Sequence, residues 1–260
     1  MSDNKARNDR RGKTRAGAGR TPNIATLRRK LARSRAKGLP KDLEARGRRV
    51  LDAYLGALES RDVPADAVLS ELASGEAARK LAEMTGQELR AQQPAILASA
   101  ACGAGCAYCC ILLDGDGGLI TEAEAQRLHA ALGPVAGAAD GRDWHPRACP
   151  ALDPATQNCR AYDARPTVCR SFLSTDVEAC RTNAAGGSAD GSGMLGNHLD
   201  YLAVIALSRD LLKGTRRVAT YSLENLAKAA VEGLPLDEAL SAARHKSAEL
   251  EHTCRDIGRS

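Results

Sequence analysis

Cys102-Gly-Ala-Gly-Cys106-Ala-Tyr-Cys109-Cys110 is answered about forty residues later by Cys149, Cys159, Cys169 and Cys180, so eight of the nine cysteines fall in one central stretch. The rest of the chain has an ordinary apolar content for its 260 residues. A chain of that size can build a core without covalent staples, which leaves the cysteines free for chemistry. The charged N-terminus lacks the apolar stretch of a signal peptide, and the longest strongly apolar run, Tyr201 to Leu207, is too short to cross a bilayer. The expectation is a cytoplasmic protein with no membrane contact. In a reducing compartment such spacing points to thiolates gathered around a metal rather than to a disulfide framework.

Outward from the cluster, the apolar residues recur at helical spacing. Ile24, Leu27 and Leu31 form a thin stripe, Val50, Leu51, Tyr54 and Leu58 a second, and Val68, Leu69 and Leu72 a third. Ala78, Leu81 and Met84 suggest a helix that ends at or before Pro94. Thr121-Glu-Ala-Glu124 reads as a capping box opening a helix through Leu128 and Leu132. Three more helical patterns follow: His198 to Lys213, Ser222 to Glu232, and one from Leu236 through Leu250. Alternating strand patterns are scarce, so the predicted fold is mostly α: a helical scaffold with a loop-rich central cysteine-cluster segment. The expected divisions are a disordered basic arm (1–22), an N-terminal helical region (23–98), the cysteine-cluster metal-binding domain (99–181), a Gly-rich loop (182–197) and C-terminal helices (198–260).

The net charge of +5 conceals an asymmetry. Residues 1–50 hold 17 Lys or Arg against four Asp or Glu, a local balance of +13 that leaves the remainder at −8. Such an arm could neutralise phosphates, which makes a nucleic acid or another acidic partner of residues 1–50 one expectation and a solubilising tail the other. No aromatic residue precedes Tyr54 to supply a stacking platform.

Cys106-x-x-Cys109 has the spacing that lets one tight turn present two ligands. The candidate ligands are Cys102, Cys106, Cys109, Cys110, Cys149, Cys159, Cys169 and Cys180. Neighbouring side chains point apart unless the backbone turns sharply, so Cys109 and Cys110 either divide the roles of ligand and non-ligand or serve two sites. All-sulfur ligation suits Zn(II) and an iron–sulfur cluster equally. A tetrathiolate zinc carries a charge near −2, for which Arg160, Arg165 and Arg170 are candidate counter-charges. His145 is a weak further ligand candidate, and Cys254 reads as a free thiol. No residue stands out as catalytic. Cys102-x3-Cys106-x2-Cys109 also has the spacing of radical S-adenosylmethionine enzymes. That reading ranks low, because repeated βα units are missing and Cys110 and the second cysteine group stay unexplained.

The whole segment is similar to the YkgJ-type cysteine-cluster family of zinc- or iron-chelating domains. The resemblance rests on Cys102 to Cys110, the Thr121-Glu-Ala-Glu124 helix start, Cys149-Pro-Ala-Leu-Asp153, Cys159-Arg-Ala-Tyr162, Arg165-Pro166-Thr-Val-Cys169-Arg170-Ser-Phe172 and Cys180. It covers roughly residues 100–181, with three residues between the first two cysteines where the family usually has two. It implies metal binding through cysteines and no particular reaction. A related group includes flagellin lysine methylases, so methyl transfer is a further expectation that the resemblance carries.

Overall fold

The computed structural model describes residues 22–113 and 116–257. The arm expected over 1–22 therefore lies, apart from Pro22, outside the described residues. Helix α1 (Ile24–Leu31) is capped by Asn23, whose side chain accepts from Thr26 N, and its buried Ile24, Leu27 and Leu31 are the stripe read from the sequence. Helices α2 (Lys41–Glu59), α3 (Ala65–Ser74) and α4 (Glu76–Gln92) follow, then a short α5 (Pro94–Ala98) that starts at the proline ending α4. Proline is tolerated at the first helical position because its missing N–H has no intrahelical partner there.

These helices pack around α10 (Asn197–Leu211), which is buried on every side: Tyr201, Leu202, Val204, Ile205, Leu207 and Leu211 all lie in the core. A helix apolar all round needs neighbours all round. Each large apolar side chain removed from water there contributes about 1.5–3 kcal/mol before the entropy of ordering it is set against the gain. Contact is closest where Gly47 of α2 meets Ala203; a Cβ on Gly47 would sit 2.5 Å from the alanine methyl. Beside it Arg46 holds the buried Asp200 carboxylate through two hydrogen bonds of 2.7 and 3.0 Å.

A second core lies beyond. Strand β1 (Leu119–Thr121) leads into α6 (Glu122–Leu132), and β4 (Thr220–Ser222) leads into α11 (Leu223–Val231). The two strands pair antiparallel with Leu119 opposite Ser222. Ile120, Leu128, Leu132, Tyr221, Leu226 and Ala239 fill the space between α6, α11 and α12 (Leu236–Ala243). The helix expected to run from Leu236 through Leu250 is broken: α12 stops at Ala243 and α13 (Glu249–Ile257) begins after a bend. Arg244 is extended there and bridges to Tyr221, while His245 N donates to Thr220 O, so pairing with β4 outcompetes helix continuation. The segment 133–196 carries only short elements: α7 (Gly141–Trp144), α8 (Thr167–Arg170), α9 (Val177–Ala184), and the antiparallel pair β2 (Phe172–Ser174) and β3 (Ser192–Met194). The fold is mostly α, and no helix among the described residues is long and apolar enough to cross a membrane.

Four of the ten basic residues over 22–50 pair with carboxylates of the fold. Arg28 pairs with Asp52 and Glu59, Arg35 and Arg48 with Glu44, and Arg46 with Asp200. An acidic α2 face and a buried aspartate were not visible as partners in a reading of local charge.

The two cores meet at Glu124, which is 2 % exposed. One carboxylate oxygen accepts from Thr121 N and Thr121 Oγ1, both at 3.1 Å, and from the Tyr201 hydroxyl; the other accepts from Thr167 N at 2.7 Å and Thr167 Oγ1 at 2.6 Å. The capping box read in the sequence is thus also a tie to α8 and α10. Gly75, at φ 79°, lets the α3–α4 turn close on it; a Cβ there would stand 2.3 Å from Thr121 Cγ2.

Glu124→Ala leaves five buried donors without their acceptor and is expected to cost about 3 kcal/mol or more, against about 1 kcal/mol for Tyr201→Phe; urea unfolding of both variants measures the difference. His198 makes a pH prediction. Burial lowers its pKa from 6.5 to about 4. The unfolded chain therefore binds the extra proton between those values, so stability is unaffected by this group above pH 6.5 and falls by up to about 1.4 kcal/mol per pH unit as the pH drops towards 4. Unfolding of His198→Phe at pH 7 and pH 5 is expected to show a smaller loss than the wild type.

Candidate metal centre

The residues around Cys109 are folded by backbone pairing rather than by helices. A single 3-10 turn over Tyr108–Cys110 supplies the sharp bend that two neighbouring cysteines need to face one region. Past it Ile111 bridges to Ala148, Cys149 N donates to Cys110 O at 2.7 Å and Leu112 N to Arg147 O at 2.7 Å. Cys110 and Cys149 are thereby held side by side.

The next loop is closed by Asp153. Its Oδ1 accepts from Ala155 N, Thr156 N and Thr156 Oγ1, and Arg160 donates to its Oδ2 at 3.0 Å. Those donors hold the Asp153 pKa down to about 2, the Thr156 amide first and Arg160 next. The turn returns the chain so that Leu152 bridges to Cys159, placing Cys149 and Cys159 at the two ends of one short loop. Behind it Gly141 leaves no room for a side chain, since a Cβ would be 2.3 Å from Cys149 O. Asn158 Oδ1 accepts from Gly105 N at 2.9 Å and ties this loop to the first cysteine turn. Cys169 arrives on α8, whose first residue is the Thr167 gripped by Glu124.

Five cysteines from three segments thus share one neighbourhood: Cys109, Cys149, Cys159 and Cys169 lie within electrostatic reach of one another, and Cys110 within reach of Cys109, Cys149 and Cys169. Burial pushes the Cys149 thiol up to about 12 and raises Cys159 and Cys169. Cys109, which stays exposed, goes the other way: hydrogen bonding with Cys110 brings it down to about 7, with Arg165 assisting, while the Cys110 thiol is raised by the same contact. Cys102, Cys106 and Cys180 form a second group. Burial raises the Cys106 thiol, and Cys109, Cys102 and Cys180 add to the rise. Ser174 N lies 3.4 Å from Cys102 Sγ, and Cys180 is buried on α9, which Asp176 caps through Glu178 N and Ala179 N. All nine cysteines are free, and Cys254 is fully buried near Gly38, away from both groups.

The three candidate counter-charges separate. Arg165 lies within electrostatic reach of Cys109, Cys159 and Cys169. Arg160 is committed to Asp153 and Ala139 O, and Arg170 to the carbonyls of Arg165 and Asp163, so both brace the loops. The His145 Nδ1 accepts from Arg147 N within its own turn and does not join the cysteines' hydrogen bonds. Sequence reasoning missed the Asn158 to Gly105 link and the second carboxylate bond of Glu124; an Asp-x4-Asn spacing in a loop was the available hint of the first.

As donors, clustered thiols suit zinc or thiolate-bound iron, and the burial of several of them favours a charge-compensating cation. Among the described residues no three His, Cys, Asp or Glu side chains have the spacing of a closed coordination site. Ligation therefore requires the thiols to lose protons and the sulfurs to draw together. Residues 101–186 match the CxxCxxCC family model, described as "Putative zinc- or iron-chelating domain". The match spans the three-segment cysteine neighbourhood and both halves of the Arg165-Pro166 to Cys169-Arg170 step. No curated protein and no solved structure matches the chain.

With Cys149, Cys159 and Cys169 protonated near neutral pH, ligation of a metal by any of them is expected to release protons and to strengthen as pH rises. Each such thiol that ligates contributes about tenfold in affinity per pH unit. Calorimetric titration of Zn(II) between pH 6 and 8, in two buffers of different ionisation enthalpy, is expected to show both the slope and the released protons.

Proposed function

We propose that this protein binds zinc or an iron–sulfur cluster through the cysteines of residues 102–180, with Cys109, Cys149, Cys159 and Cys169 as the principal set. Cys110 backs that set, and Cys102, Cys106 and Cys180 form a second, outer group. The observation that carries the reading is that four free thiols from three separate segments, Cys109, Cys149, Cys159 and Cys169, lie within electrostatic reach of one another, with Arg165 in reach of three of them, inside the stretch that matches a chelating-domain family. Arg165 offsets part of the negative charge of the thiolates, and the Asp153 turn and the Glu124 grip on Thr167 keep the three segments in register. Bound metal supplies cross-links among loops that have little regular structure of their own.

Full-length protein purified without oxygen is expected to contain zinc, or iron with sulfide, at one or more atoms per chain. A broad band at roughly 400 nm marks thiolate-bound iron clusters, and its absence with stoichiometric zinc marks the colourless metal. Cys149→Ser and Cys169→Ser are expected to lose most of the metal, and Cys254→Ser to retain it. Metal-free wild type that remains folded, or equal losses in all three variants, defeats the reading.

A further inference from the structure

A cleft of about 500 Å³ opens between α4, α6, the start of α10 and the segment 163–170, and three carboxylates, Glu83, Glu124 and Asp163, are part of its lining. Five arginines line it. Arg79 and Arg127 are neutralised by Glu76, with Glu83 also on Arg79. Arg90, Arg165 and Arg170 are different: among the described residues they donate only to carbonyl oxygens, namely those of Arg170, of Tyr162, and of Arg165 and Asp163 respectively. Of the lining carboxylates, Glu124 is saturated by its five donors, Glu83 pairs with Arg79, and Asp163 is exposed.

A second observation is independent of the arginines. Asn197, 4 % exposed, also lines the cleft, and its Nδ2 donates to Ala82 O at 3.2 Å while its Oδ1 has no partner. A buried amide oxygen without a donor is costly unless something supplies one. Asn197 also begins the fifteen-residue α10, whose N-terminal end carries partial positive charge.

From these features we infer that the cleft is a binding site for a small, multiply charged anion with carboxylate or phosphate oxygens and a hydroxyl group. Arg90 and Arg165 each keep guanidinium N–H groups free for planar or tetrahedral oxyanions, Arg170 adds its charge and its remaining N–H, and a small shift of Asn197 lets its Oδ1 take the ligand's O–H. Hydrogenphosphate, a phosphomonoester and a hydroxycarboxylate share that chemistry. The volume lies in the range of small-molecule sites. The site is distinct from the thiols, and Arg165 alone faces both; the inference does not depend on metal being bound.

Calorimetry on the full chain at fixed ionic strength tests it, using inorganic phosphate, citrate, and tricarballylate, which is citrate without its hydroxyl. Metal content measured before and after separates binding from chelation of a resident metal. Saturable binding of phosphate, citrate or both supports the site and says which oxyanion it takes. Arg90→Gln, a change outside the cysteine segment, is expected to weaken that binding about tenfold, and Arg29→Gln on α1 to leave it unchanged. No saturable binding of either anion, or equal loss in both variants, overturns the inference. Tricarballylate is expected to bind several-fold more weakly than citrate; equal binding overturns the pairing of the hydroxyl with Asn197.

Discussion

A single buried carboxylate, Glu124, holds the structure to its working arrangement. It opens α6 as half of a capping box, takes the hydroxyl of Tyr201 from the middle of the helical core, and grips both donors of Thr167 at the start of α8. A buried charge is tolerated only when its lone pairs are filled, and here five donors fill them. Burial, with the Glu124 charge next, pushes the Tyr201 hydroxyl well above its usual range, so it stays a donor at any physiological pH. The helical scaffold and the cysteine loops are therefore coupled through one set of hydrogen bonds, two residues before Cys169. Loss of that set has to be felt in both places.

The helices were legible because they depend on local periodicity. The stripe of Ile24, Leu27 and Leu31, the Thr121 to Glu124 box and the helical pattern from His198 need only their own neighbours to be read. What escaped depends on residues far apart in the chain. The break between Ala243 and Glu249 follows from pairing of Arg244 and His245 with β4, more than twenty residues earlier. The strands β1 to β4 are three residues long, too short for an alternating pattern to register.

The cysteine segment shows the same division. That eight thiols belong to one stretch could be read from composition, yet which of them the fold sets side by side could not, because that is set by pairing of residues 110–112 with 147–149 and by the Asp153 turn. The arginines of the segment looked equivalent by spacing. In the fold Arg160 and Arg170 are spent on carbonyls and on Asp153, and Arg165 is left beside the sulfurs.

That partition has a chemical consequence. Thiols raised by burial hold their protons until a cation replaces them, whereas Cys109, lowered to about 7 and exposed, offers a thiolate first. On the proposed chelating role, a metal arriving from solvent would meet the exposed Cys109 sulfur first and the buried, protonated thiols behind it. Capture would then proceed inward, each deprotonation made easier by the positive charge already bound. Arg165 assists the first step, because its guanidinium favours the Cys109 thiolate before any metal is present. The cysteines that the fold brings near one another thus differ in burial and proton affinity, from the exposed Cys109 with its lowered thiol to the buried Cys149 with its raised one.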